Sequence, residues 1–593
     1  MKNILRLRLF IICLTSLLVL GVIIKPASAQ VTILQENQAN QCIKTSRIKI
    51  NAINPTPETN PLGAYYPGFR GSNQLVVYTS GFGEYTNTNE FGKEAIVIED
   101  KIFGFCGSNC YIPKNGFIIS GHGSAKKWIN EKLMEGATVK IYPNTMTLES
   151  TITPESYLYK AGQRINDVKK VIIEYKRTLP GYQSKVSENY LDQAIQRYNE
   201  ARYMLDKLQY ESGRDLANTA LNMADMSFYY AVPAVQNELH GVWLRPIEKN
   251  QSEIDKTLDR LKKTGIDNIF LETYFQGYTI FPSTTMASYG VKEQKAGFEG
   301  WDPLKVWVTE AHKRNMKVQI WFQTFYAGSE AISKNSKHIL AVYPQWANCQ
   351  KRNAASNKPM PSVSEHDGYF LDPANPDVQK FLTALLTEIT TNYNIDGLNI
   401  DYIRYPKSLS PNFSEYLDST WGYTAFARNE FKSLYGKDPI DLEQSDPLMS
   451  KWVTYRQDKV TDFVSKLRSI VGNKNIMIST VIFPGQQDTA TTKLQNWPAW
   501  AQKGYIDAFT PLIMSSDKYM AGNSVREIRS LAGNNVCVFS GLFEPFTSGS
   551  PADLLGQITS VRQEGSSGII LFDNAHITDD FITALSARIL RKD

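Results

Sequence analysis

From about residue 240 to the end of the chain, short apolar runs alternate with amphipathic stretches. Eight runs read as strands: His240–Arg245, Asn268–Tyr274, Lys317–Gln323, Gly397–Tyr402, Ile476–Phe483, Ala508–Met514, Asn535–Ser540 and Gly568–Asp573. The stretches between them carry helix start and stop signals. Ser252 with Asp255 resembles a capping box, and Gly265 closes that helix. Asp302-Pro303, Asn375-Pro376 and Ser550-Pro551 each set a capping side chain before a proline at the first helical position, with Gly565 ending the last helix. Strand–helix alternation of this kind predicts βαβ units and a parallel sheet. Eight units over 236–593 predict an α/β fold, a (β/α)8 TIM barrel with insertions. An open doubly wound sheet fits less well, because the first strand–helix turn, RPIEKNQSE, has no glycine-rich phosphate cradle.

Upstream the pattern changes twice. Over 151–235 Leu191, Ala194, Ile195, Tyr198, Ala201, Met204, Leu205 and Leu208 form one apolar stripe at helical spacing. Pro180-Gly181 breaks the region, Ser187 is the expected N-cap and Gly213 a further break, giving a spacer of two or three helices. Over 66–150 the short runs Gln74–Ser80, Glu94–Glu99, Gly116–Ser120 and Ala137–Tyr142, separated by Gly/Asn/Pro turns, predict a small β-rich domain with His122 in a turn. Residues 30–65, rich in Asn and Pro, read as an extended lead-in.

The first 29 residues have a basic start, an apolar run Leu9–Ile24 and Ala27-Ser28-Ala29, the layout of a cleavable secretory signal peptide. The expected product is a secreted, periplasmic or cell-envelope protein with no stable membrane span after cleavage. That leader changes the charge picture. The chain has 64 Lys and Arg against 59 Asp and Glu, a net +5, but Lys2, Arg6, Arg8 and Lys25 lie in the leader. Without it the chain has 60 basic against 59 acidic side chains, is nearly neutral and has no basic run, which argues against nucleic acid as a partner. Beyond the leader lie Cys42, Cys106, Cys110, Cys349 and Cys537. The close pair Cys106 and Cys110 reads equally as a small-loop disulfide or as two thiols.

In a barrel of this kind the active site sits on the loops at the C-terminal ends of the strands. The fourth strand, DGLNIDYIRYP, is the sharpest case. Leu398 and Ile400 share one face, so Asn399 and Asp401 point into the barrel, with Asp401 near its mouth. A carboxylate there needs a partner or a purpose, and Arg404 is the nearby partner in sequence. Other strand ends supply Arg245, Glu272, Gln323, Glu544 and Asp573, with Asp517 after the sixth strand. Tyr274, Trp321 and Tyr402 crowd the same rim, and aromatic faces suit the apolar face of a sugar ring. No metal or other cofactor is expected. His240, His312, His338, His366 and His576 fall at no upper strand end, and neither H-x-H nor H-E-x-x-H occurs. No G-x-S-x-G elbow occurs either. Paired carboxylates remain, the equipment of glycoside hydrolysis.

The runs LHGVWLRP, FPST, DPLKVWVTEAHKRNMKVQIWF, YFLDPANPDVQKFL and YNIDGLNIDYIRYP resemble glycosyl-hydrolase-like family 10, bacterial secreted barrel proteins. The resemblance implies a glycosidase barrel with the family's fourth-strand aspartate at Asp401 and bacterial cell-envelope glycans, peptidoglycan among them, as substrate class. Departures are Tyr402, where many members have a second aspartate, Asn399, where the α-amylase pattern has arginine, and TVIFPG, which lacks a fifth-strand glutamate. The expected reading is an exported glycoside hydrolase of a polysaccharide or oligosaccharide. Asp401 would serve as nucleophile or base and Glu544 or Asp573 as acid, with Arg245, Glu272, Tyr274, Trp321, Gln323, Asn399, Tyr402 and Arg404 contacting substrate. The alternative is a catalytically inactive carbohydrate-binding or envelope scaffold barrel.

Overall fold

A computed structural model describes residues 42–54, 72–88, 92–107, 109–179, 181–329, 332, 336–356, 358–547 and 549–590. The expected leader and residues 30–41 and 55–65 of the lead-in lie outside the described residues. The chain divides into two units, Met1–Ala231 and Val232–Asp593.

The first unit holds an eight-stranded sheet of β1 (Lys44–Lys49), β2 (Ala52–Asn54), β3 (Leu75–Thr79), β4 (Lys93–Ile98), β5 (Lys101–Cys106), β6 (Gly116–Gly121), β7 (Thr138–Tyr142) and β8 (Thr147–Ile152), in the order β1-β8-β7-β5-β4-β6-β3-β2. Part of the expected lead-in is therefore strand. β1 and β2 are the sheet's two edges, and β1 has only partial burial, so its sequence carries no apolar run to announce it. Cys106 and Cys110 are joined by a disulfide, while Cys42, Cys349 and Cys537 carry none. Glu94 lies close to both bridged cysteines, but its buried carboxylate accepts from Thr86, Thr88 and Ser120 hydroxyls and from the Cys110 N–H. That hydrogen bonding accounts for its burial.

Three helices follow, Pro154–Thr178, Lys185–Asp206 and Tyr210–Ala231. The N-cap of the second is Ser184, not Ser187. The Ser187 N–H donates to the Ser184 hydroxyl, and its own hydroxyl turns inward to the Ser227 carbonyl. Gly213 does not break the helices; it lies inside the third, where a Cβ would come within 2.4 Å of Leu205. Among the described residues no helix is long and apolar enough to cross a membrane.

The second unit is a closed parallel barrel of β9 (Leu239–Leu244), β10 (Asn268–Phe275), β12 (Lys317–Gln323), β15 (Gly397–Asp401), β16 (Met477–Ile482), β17 (Ala508–Ile513), β18 (Cys537–Leu542) and β19 (Gly568–Leu571), with β19 pairing back onto β9. Short accessory strands β11 (Tyr278–Thr279), β13 (Tyr326–Gly328) and β14 (Tyr369–Phe370) lie in the upper loops. Asp302, Asn375 and Ser550 cap their helices as the sequence indicates. The first helix, Gln251–Thr264, is capped by Asn250 with Glu253 rather than by Ser252 with Asp255, and ends at Gly265 with φ 96°. Asp517 is also a helix cap, accepting from the N–H groups of Tyr519 and Met520.

Inward side chains fill the cylinder. Trp243, Phe270, Trp321, Val481, Ala508, Phe539, Phe543 and Ile570 form its core. Gly541 is glycine because Trp243 would lie 2.5 Å from its Cβ. In mid-barrel Asn399 accepts from the Trp243 indole (3.1 Å) and donates to the Ser479 and Thr510 hydroxyls (both 2.9 Å). A buried amide with these partners locks four strands together, and nothing is left for a ligand.

Candidate active site

Asp401 ends β15 at the barrel mouth. The Trp321 indole N–H donates to its Oδ2 (2.8 Å) and the Tyr402 backbone N–H to its Oδ1 (2.6 Å). Burial raises the Asp401 carboxyl, and these two donors pull it back. Across β12 stands Glu272. Gln323, paired in register with Asp401, donates through its amide to Glu272 Oε1 at 2.7 Å. Glu272 is in register with Trp321 and Asp401 with Gln323, two residues further up β12, and the Asp401 charge still acts on Glu272. Burial pushes the Glu272 carboxyl to about 7, the Arg245 charge opposes that rise, and the Asp401 charge adds to it. Its Oε2 is buried and accepts no hydrogen bond, but lies 3.3 Å from Arg245 Nε in an ion pair.

Arg245, at the end of the first strand, lies 3.3 Å from Glu272 and 3.5 Å from Asp573, so it ties the second strand to the eighth. Its guanidinium covers Trp321 (5.2 Å) and Phe572 (5.3 Å), and about half of its side chain stays exposed. Asp573 Oδ1 lies 2.5 Å from His576 Nδ1. Stacked Phe543 and Phe572 (4.5 Å) and Phe546, edge-on to Phe572 and His576, line this side of the mouth. Phe546 is half exposed and offers a ring face.

Asp401, Glu272, Gln323, Trp321, Arg245 and Asp573 thus come together. Five other expected residues do not join them. Glu544 is turned away from the barrel axis, because inward positions on this strand fall at Phe539, Gly541 and Phe543. It accepts from Gln557 of the helix Pro551–Gln563 and packs under Gly549. Tyr274 is fully buried against Phe322 (4.7 Å), since the register shift between Glu272 and Tyr274 breaks the alternation that would have kept both on one face. Asn399 is the core amide described above. Arg404 forms a bidentate pair with Glu365 (2.7 and 3.0 Å), not with Asp401. Tyr402 has φ 48° and both ring faces taken, by Tyr326 (4.5 Å) and Arg404 (4.8 Å).

Sequence reading missed His576, which does reach an upper strand end, and Glu365, deep in the long third loop. His576 could have been found from its place three residues beyond Asp573. Nothing around Glu365 signals its pairing. In the same loop Trp346 and Asp372 are buried, and Asp372 bonds Thr424 and the Ala374 N–H. They belong to the packing of that loop.

A closed barrel with carboxylates converging at its C-terminal mouth is the layout of a carbohydrate-active barrel. The chain belongs to the family Glycosyl hydrolase-like 10, whose profile matches residues 237–541. Glycosyl hydrolase DigH of Escherichia coli (strain K12) is 30% identical over 169 residues, 27% of this chain and 36% of the relative. Glycosyl hydrolase YngK of Bacillus subtilis (strain 168) is 22% identical over 231 residues, 34% of this chain and 41% of the relative. These matches span well under half of the relatives' own length. Among solved structures, the catalytic domain of β-amylase from Paenibacillus polymyxa aligns at TM-score 0.41 and 13% identity, over 60% of this chain and 99% of that one.

Proposed function

We propose that this protein is an exported glycoside hydrolase acting on a polysaccharide through Asp401 and Glu272. The observation that carries the reading is the contrast between two neighbouring carboxyls. Asp401 is held by two N–H donors that favour its ionised form, whereas burial and the neighbouring Asp401 charge raise Glu272 to about 7 against the opposing Arg245 guanidinium 3.3 Å from its Oε2. Pairs of carboxyls whose surroundings separate their proton affinities divide into acid and base.

In this mechanism Glu272 protonates the glycosidic oxygen as the bond to the anomeric carbon breaks. Asp401 attacks that carbon directly or takes a proton from the attacking water. Arg245 and Asp573 hold sugar hydroxyls, and Phe546 receives the ring's apolar face. Glu272 thereby takes the acid role expected of Glu544 or Asp573. The leader-like first 29 residues support export, and the family resemblance makes cell-envelope glycan the first substrate to test.

The test incubates purified full-length protein, Asp401→Asn and Glu272→Gln with labelled peptidoglycan strands and counts new reducing ends. Product from the parent and a loss of two or more orders of magnitude in both variants is expected. Equal product from parent and variants would remove both roles. Retention of glycan without cleavage by the parent would favour the carbohydrate-binding alternative.

A further inference from the structure

The β-rich unit lies outside the residues that the family profile matches, and it carries an exposed aromatic pair of its own. Two connecting segments, 84–88 after β3 and 109–112 after β5, run antiparallel across the sheet. Tyr85 bridges Tyr111, the Ile112 N–H donates to the Glu84 carbonyl (2.8 Å) and the Thr86 N–H to the Cys110 carbonyl (3.1 Å). Side chains alternate along both segments. Thr86, Thr88, Cys110 and Ile112 turn inward, and Cys110 and Ile112 pack on Val76, Tyr78 and Ile118. That is the sheet face opposite the main core, which takes Leu75, Val77 and Ile119. Tyr85, Asn87, Asn109 and Tyr111 turn outward.

The layer is pinned from below. Thr86 and Thr88 donate to the buried Glu94 carboxylate (2.8 and 2.9 Å), as do the Ser120 hydroxyl (2.6 Å) and the Cys110 N–H (3.0 Å). The Cys106–Cys110 disulfide closes the second segment, and the Asn87 N–H donates to Asn109 Oδ1 (3.2 Å). On this base Tyr85 and Tyr111 stay 45% and 51% exposed, their ring centres 5.8 Å apart and their planes at 77°. Rings left half bare forgo the stabilisation that packing would give them. Set nearly at right angles they form a corner, in which one ring carries the C–H face of a sugar and the other meets its edge. The flanking amides offer donors and acceptors to hydroxyls. None of the four outward residues is charged, which suits an uncharged ligand.

We propose that Tyr85, Tyr111, Asn87 and Asn109 form a non-catalytic glycan-holding surface that takes an uncharged sugar chain and tethers the protein to its polymer. A stable protein interface takes about 800 Å² from each partner, more than these outward side chains supply, whereas a short run of sugars matches their extent. A surface fixed before binding loses little entropy when occupied. A second hold on one polymer raises the apparent affinity with no new contact at the barrel. The choice of glycan as occupant rests on the glycosidase reading of the barrel on the same chain.

Retention on insoluble polymer tests this apart from turnover. Full-length Asp401→Asn is mixed with insoluble chitin and, separately, with amorphous cellulose, both uncharged, and the unbound protein is measured as the polymer concentration rises. Retention on at least one polymer is expected. Adding Tyr85→Ala and Tyr111→Ala together should weaken it roughly tenfold or more, while Tyr85→Phe with Tyr111→Phe keeps it. In the wild-type background the alanine pair should leave reducing-end release from short soluble oligomers unchanged. A thermal melt matching the parent's shows that the fold is kept; if the pair melts early, Tyr111→Ala alone gives the same comparison. No retention on either polymer, equal retention of parent and alanine pair, or equal loss in the phenylalanine pair overturns the proposal. So does a parent dimer in sedimentation that the alanine pair dissociates, which assigns the rings to a second copy of the chain. If the alanine pair loses retention but wild type releases no reducing ends from any glycan, the hydrolase reading fails and the holding surface stands.

Discussion

The indole nitrogen of Trp321 donates to Oδ2 of Asp401 at 2.8 Å, from the strand beside it. A hydrogen bond to a charged group contributes about 1.5–3 kcal/mol. Trp321→Phe keeps the ring packing and removes that donor. Its kcat/KM on glycan should fall roughly 10- to 100-fold. The low-pH limb of its rate profile should move to higher pH, because the Asp401 carboxyl loses a contact that favours its ionised form. Steady-state rates across pH check both.

In the proposed mechanism Glu272 sets the other limb. With its carboxyl at about 7, kcat/KM should decline as pH rises past that value, and Glu272→Gln should lose the limb along with the activity. The same group affects stability. An unfolded glutamate titrates near 4.3, so between about 4.3 and 7 the folded chain binds a proton that the unfolded chain does not. Its contribution is full below the lower value and is lost as pH rises through the upper one. Glu272→Gln should therefore melt closer to the parent near pH 5 and gain on it near pH 8. Melting curves at the two pH values decide this.

Glu544 makes a contrasting case. It faces Gln557 and not the cleft, so Glu544→Gln should leave kcat/KM within about twofold of the parent. Its melting temperature should fall by a few degrees, about 1 kcal/mol of lost hydrogen bonding. A loss of activity like that of Asp401→Asn would restore it as the acid.

Asn399→Ala removes one acceptor and two donors from the middle of the barrel, orphaning the Trp243 indole and opening a void. A loss of about 2–4 kcal/mol is expected in denaturant unfolding, with little change in KM for enzyme that remains folded.

Arg404→Met leaves Glu365 buried without its cation, and breaking such a pair costs about 3–5 kcal/mol. The double variant Arg404→Met/Glu365→Leu should regain most of that loss. Chemical denaturation of the single and double variants measures the coupling.

The eight barrel strands were legible because both of their faces are buried, so each appears as an apolar run, and β12 begins and ends where its sequence indicates. Their order around the barrel follows from strand–helix alternation. Asp401 was legible for the same reason: on a fully buried strand a carboxylate stands out. Glu272, Arg245, Gln323 and Asp573 were legible as a group of polar strand ends. The roles within that group were not. Nothing along the chain tells which of Glu272, in the upper half of β10, and Glu544, just past β18, faces the barrel mouth. The edge strand β1 stayed hidden because ladder hydrogen bonds, which any residue can make, hold it in place.

The sequence by itself determined which segments are strands, which helices carry caps, and that carboxyls gather at one end of a parallel barrel, because burial and capping act on residues near each other along the chain. Tertiary structure alone decided which carboxyls converge. A register shift turned Tyr274 outward, the alternation of β18 turned Glu544 away, and a loop residue 39 positions from Arg404 supplied its partner Glu365. Such placements depend on the closure of the barrel and on long-range pairing, and no local pattern encodes them.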